Sequence, residues 1–139
     1  MKRICVLIFV LALTAGTAAA EVKEFSKLSI DIPAGWSVEE IAGTVAAIKD
    51  DKTAALTVSV EPFEVGRGLL DMARIFSQKF KGTPPKRADN ESYTFTFNDG
   101  KSQAVITSRV TSYVLVTTTG LVNAPQELYS MIASLNFKH

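Results

Sequence analysis

The side chains able to do chemistry are few in this chain, and their spacing argues against most catalytic arrangements. His139 is the single histidine and the last of 139 residues, a position where chains usually fray. A Ser-His-Asp triad or a histidine-based metal site therefore has nothing to build on. The sequence holds no Gly-x-Ser-x-Gly elbow, no His-Glu-x-x-His and no phosphate-binding glycine loop. Gly66-x-Gly68 precedes a helical pattern and could offer amides to an anion, but without a third glycine it reads as a turn. Glu39-Glu40 and Asp50-Asp51 are adjacent pairs, whereas catalytic acids must converge in space. On a strand, Glu39 and Glu40 point to opposite faces. Asp50 and Asp51 lack the ligand spacing of a calcium loop and read as a solvated turn. No catalytic residue, cofactor site or metal site is expected.

Two candidates for binding remain. Lys79, Lys81, Lys86 and Arg87 cluster around Pro84-Pro85 and form a candidate partner surface for acidic groups or lipid headgroups. Their plainer reading is charge that complements a helix C-terminus, followed by a solvated loop. Trp36 is a candidate for stacking a ligand. Its plainer and preferred reading is an apolar anchor that Pro33 and Gly35 fold back onto a sheet. Tyr113, Thr117, Thr118 and Thr119 read as sheet propensity rather than as a ligand surface.

The elements that would position these groups follow from hydrophobic period. Leu28, Ile30 and Ile32 alternate with Ser29 and Asp31, the pattern of a half-buried strand. After Pro33-Ala34-Gly35, extended pieces begin at Trp36 and Thr44, with Asp50-Asp51-Lys52 as a hairpin tip. Leu56, Val58 and Val60 alternate until Pro62. The period then changes. Leu69, Met72, Ala73, Phe76 and Phe80 recur at spacings of three and four, which predicts a one-sided helix stopped by Gly82. Tyr93, Phe95 and Phe97 share a strand face, Asn98-Asp99-Gly100 signals a hairpin, and Lys101–Val110 and Tyr113–Thr119 predict two more strands. A terminal helix carries Leu128, Met131, Ile132 and Leu135, with Asn123 as its cap and Pro125 in its first turn.

Ala104-Val105-Ile106 and Tyr113-Val114-Leu115-Val116 are apolar on both sides, so layers are expected above and below the sheet. The fold class is α+β: an α/β/α sandwich around a mostly antiparallel sheet of about six or seven strands. Both helices on one face of the sheet is the competing arrangement.

The run Leu28-Ser29-Ile30-Asp31-Ile32-Pro33-Ala34-Gly35-Trp36 resembles the "strand, Pro-x-Gly-Trp" opening of the Mog1/PsbP-like superfamily, whose bacterial branch includes DcrB-like proteins. The order of elements continues the resemblance over most of residues 21–139. It implies an antiparallel sheet between helices and non-enzymatic work. PsbP-like members assist photosystem assembly, Mog1-like members bind a small GTPase, and some bacterial relatives act as effector chaperones. No single set of functional residues spans these members, and none carries over to this chain.

Residues 1–20 resemble a bacterial export signal. Lys2 and Arg3 open it, Ile4–Leu13 form an apolar run too short to span a membrane, and Ala18-Ala19-Ala20 offers a cleavage site. Removing these 20 of the 139 residues leaves 119, one domain able to bury its own core. Cys5, the only cysteine, leaves with them, and its place before most of the apolar run does not suit lipid attachment. Of 15 basic and 14 acidic residues, the loss of Lys2 and Arg3 leaves 13 and 14, a charge near −1. Such a balance gives no general attraction to nucleic acid. The expectation is a periplasmic or secreted binding protein with no transmembrane anchor after cleavage. It would act on a protein partner in the cell envelope, with weak contact to a membrane surface left open. The alternative is a carrier or sensor of a small ligand or lipid, with its pocket between sheet and helix.

Overall fold

The computed structural model of the chain describes residues 20–138. The export signal expected over residues 1–20 therefore lies, Ala20 apart, outside the described residues. Among the described residues, ten strands and two helices follow one another: β1 (Ala20–Glu24), β2 (Leu28–Pro33), β3 (Trp36–Ile41), β4 (Thr44–Lys49), β5 (Ala55–Pro62), α1 (Leu69–Lys79), β6 (Lys86–Asp89), β7 (Ser92–Phe97), β8 (Ser102–Ser108), β9 (Ser112–Thr119), α2 (Pro125–Ser134) and β10 (Asn136–Phe137).

The strands form two sheets rather than one. The larger has seven strands in the order β3-β4-β5-β9-β8-β7-β6, and the smaller has three in the order β1-β2-β10. Every pairing is antiparallel. In β2, Leu28, Ile30 and Ile32 are buried and alternate with half-buried Ser29 and Asp31, as the period of two requires. Gly35, at φ +84°, then turns the chain out of the small sheet and into the large one.

Alternation along β9 divides the core in two. Val114 belongs to one cluster with Leu28, Ile30, Trp36, Leu56, Val58, Leu128 and Met131. Tyr113 and Leu115 belong to the other, with Met72, Ala73, Phe95, Ala104 and Ile106. Consecutive residues of a strand face opposite ways, so α1 lies on one face of the large sheet, and α2 with the small sheet lies on the other. This mixed α+β layering is what the two-sided apolar strands required. The second layer is not helix alone, because the small sheet shares it.

Three local readings need correction. Asn123 does not cap α2: the N-cap is Ala124, and the Asn123 amide donates instead to the Thr53 carbonyl at 2.9 Å. Lys86 and Arg87 stand in an edge strand, β6, rather than in a loop. Strands β1 and β10 add two short elements that hydrophobic period did not reveal. At α1, Gly68 is the N-cap, and the carboxylate of Asp71 accepts from its amide at 3.0 Å. That bond satisfies one of the donors a helix start leaves over.

Candidate functional site

Helix α1 covers only part of its sheet face. Its packing partners are β7, β8 and the start of β9, through Phe95, Ala104, Ile106, Tyr113 and Leu115. The same face continues across β5, β4 and β3 with no layer over it. Register places Ile41 and Thr44, Glu39 and Ala46, and Ser37 and Ile48 side by side on that open half. Ile41 is 60% exposed and Ile48 is 42% exposed, with the small side chains of Ala46 and Ala55 beside them. Hydroxyls cross the rest of this face. Thr44 pairs with Ser59 at 2.8 Å, Thr57 bonds Thr117, and Ser102 pairs with Thr119 at 2.8 Å.

Where the open half meets α1, a cleft of about 430 Å³ lies between sheet and helix. Thr44, Ser59, Glu61, Glu64, Phe76 and Tyr113 line it. Tyr113 is held by aromatic neighbours, with Phe63 at 5.4 Å and Phe76 at 5.9 Å between ring centroids. Tyr113 is only 4% exposed, and its hydroxyl has no hydrogen-bond partner among the described residues. Burial raises its pKa above the ordinary tyrosine value, and the negative charges of Glu61 and Glu64 raise it further. Glu64 is paired with the Arg67 guanidinium at 2.9 Å. Glu61 takes part in none of the ion pairs among the described residues.

Two larger hollows offer less. One of about 620 Å³ lies beside the Asn98–Lys101 turn, but its Ser102, Thr119 and Asn123 side chains already bond one another or the backbone. Another of about 520 Å³ runs between β1 and β3 and is walled by Phe25, Ile32 and Trp36 with Glu21, Lys23 and Glu24 at its rim.

The residues singled out from sequence do not meet at one place. Trp36 sits in the core at 8% exposure, and its indole N–H donates to the Glu127 carboxylate of α2. A stacking role needs an exposed ring, so this placement corrects that reading and fits an anchor. Lys79 ends α1, Lys81 follows it at φ +56°, and Lys86 and Arg87 lie on β6, all four exposed. The Arg87 guanidinium is turned back on its own hairpin, donating to the Asp89 and Asn90 carbonyls at 3.1 and 3.2 Å. Glu40 accepts from the Ser26 amide and hydroxyl, while Glu39 shares the face of Ala46. Asp50 accepts from Ser37, and Asp51 accepts from the Thr53 amide and hydroxyl, which lowers the Asp51 pKa. These carboxylates serve turns and edges. Among the described residues, no group of three or more His, Cys, Asp or Glu side chains is placed to hold a metal ion, and no helix is long and apolar enough to cross a membrane.

Sequence reasoning set Tyr113 aside as a strand former and did not single out Glu61. The signal that could have found them is a tyrosine in a strand apolar on both sides, where the ring is bound to be buried and its hydroxyl must reach a cleft or a partner.

No family model and no curated protein matches this chain. Among solved structures, a crystal structure of a protein from Bacteroides thetaiotaomicron VPI-5482 aligns with a TM-score of 0.47 and 15% identity. The alignment covers 81% of this chain and 45% of that one, so this chain spans under half the length of that protein. A likeness at that level supports no statement about function.

Proposed function

We propose that this chain is an exported, non-enzymatic binding protein with a Mog1/PsbP-like domain over residues 21–139. It acts through a protein–protein surface in the cell envelope and assists the assembly or stability of a complex there. The observation that carries this reading is the open half of the large sheet. Ile41 and Ile48 are exposed on that uncovered face, on either side of the Glu39–Ala46 pair, and a sheet face with no layer over it offers a contact surface. The basic cluster of Lys79, Lys81, Lys86 and Arg87 is the competing surface. Export rests on the pattern of residues 1–20, and cleavage after Ala20 would remove one pair from β1, Ala20 with Pro33, and leave four.

Two measurements test it. N-terminal sequencing of the mature product should begin at Glu21; a chain that keeps Met1 contradicts export. Pull-down from envelope extract should recover a partner that Ile41→Asp with Ile48→Asp releases while the thermal melt is unchanged. Retention by the double variant contradicts the sheet face.

A second reading has its own support. A small-ligand site between sheet and helix fits the Tyr113 cleft, where the hydroxyl of a buried ring opens to the cleft with no hydrogen-bond partner among the described residues.

A further inference from the structure

We propose that the Tyr113 cleft binds a primary ammonium group, with Glu61 as counter-charge, the Tyr113 hydroxyl oxygen as acceptor and the Phe76 ring as a wall. This rests on the small-ligand reading and not on the protein–protein one. It also names what the ligand must be.

Two polar groups of this cleft have no partner among the described residues. Tyr113 is nine-tenths buried and more, lines the cleft, and offers lone pairs that no described residue uses. Glu61 lines the same cleft and enters no ion pair among the described residues, while Glu64 is paired with Arg67. The Glu61 carboxylate repels a phosphate or carboxylate ligand, and a neutral ligand that covered it would leave its charge unmatched. A cation is therefore the ligand whose charge fits. A bare metal ion does not suit this donor set, because only Glu61 is a free carboxylate and Phe76 and Leu115 are apolar walls. An alkylammonium suits both parts. Its N–H groups meet Glu61 and Tyr113, and its alkyl chain lies along Phe76, where the aromatic face also favours a cation. The Thr44–Ser59 hydroxyl pair, at 2.8 Å, lines the same cleft beside Glu61 and has spare lone pairs. A volume of about 430 Å³ accepts a small amine or the end of a lysine side chain. Both sources present the same chemistry.

The test is an NMR titration of the whole domain with n-butylammonium chloride, matched by sodium chloride and by n-butanol. Saturable shifts at Glu61, Phe76 and Tyr113 are expected at concentrations up to about 100 mM, the range for a fragment of so few atoms. Glu61→Gln and Tyr113→Phe should each weaken binding about tenfold, as removal of one charge-assisted bond does. Both preserve side-chain shape, and an unchanged thermal melt certifies the fold. Glu64→Gln should weaken binding less than about threefold, because Arg67 already neutralises that carboxylate. Nα-acetyl-lysine methylamide binding more tightly than n-butylammonium identifies a protein lysine as the source, and the reverse order identifies a free amine. Either order supports an ammonium site. Shifts with n-butanol but none with n-butylammonium overturn the ammonium assignment and leave a small-ligand site standing. Shifts with neither remove both, and an unaltered affinity in Glu61→Gln overturns the counter-charge.

Discussion

Glu61 and Tyr113 stand opposite each other in the ladder that joins β5 to β9, on the face that α1 only half covers. One is a carboxylate with no ion pair among the described residues, and the other is a phenol whose ring is buried while its hydroxyl opens to the cleft without a partner among those residues. Their pairing is a product of strand register. It puts a negative charge and an acceptor at the seam between covered and open sheet.

Tyr113 should titrate above the ordinary tyrosine range, because burial and then the charges of Glu61 and Glu64 oppose the phenolate. A group whose folded pKa is raised contributes stability that is fully present below its unfolded value and is lost as pH rises toward the folded one. Chemical denaturation should therefore show stability falling above about pH 10, the unfolded tyrosine value. Tyr113→Phe should remove that part of the alkaline loss, together with one late step in tyrosinate absorbance.

Trp36 ties the edge strand β3 to the first turn of α2 through Glu127, 91 residues away. Trp36→Ala should cost about 3–5 kcal/mol, the range for removing a buried aromatic. Glu127→Ala should cost about 1–2 kcal/mol by leaving the indole N–H unpaired. Lys49, at 3.5 Å from Glu127, is half-exposed, and its removal should cost under about 1 kcal/mol. Urea unfolding followed by circular dichroism checks all three.

The two-residue hairpin between β3 and β4 asks for positive φ at both positions, and Ala42 supplies it at +51° without glycine's freedom. Ala42→Asn should stabilise the domain by about 0.5–1 kcal/mol, since asparagine tolerates this region better. An unchanged or lower melting temperature would contradict the turn assignment.

Gly120 adopts φ +70°, and a Cβ there would lie 2.0 Å from the Thr53 carbonyl oxygen. Gly120→Ala should cost more than about 2 kcal/mol, because backbone on both sides would have to move. The same substitution at Gly100, where nothing lies within 4 Å of the added carbon, should cost only the strain of its φ, about 1 kcal/mol.

How much of this was legible depended on burial. Leu28–Ile32, Leu56–Val60 and Leu69–Phe80 announced themselves because one face of each is buried, so period reports element directly. β6 is exposed at all four positions and β1 at four of five. Neither shows alternation, which is why Lys86 and Arg87 read as a loop. Tyr113 to Val116 correctly demanded layers on both faces. Trp36 read correctly as an anchor, but its bond to Glu127 arises from packing between distant elements. Asn123 had the right type for a cap, yet its amide is taken by Thr53. The cleft was not legible at all. Glu61 and Tyr113 become neighbours only through the register of β5 on β9, and no local pattern encodes that pairing.

The central claim is that this protein binds its partner through the open half of the large sheet. A photo-crosslinking residue placed at position 48, and separately at position 86, tests it in the living envelope. The account predicts one discrete crosslinked product from position 48 and none from position 86. A product from position 86 alone would move the contact to the basic cluster and contradict the account.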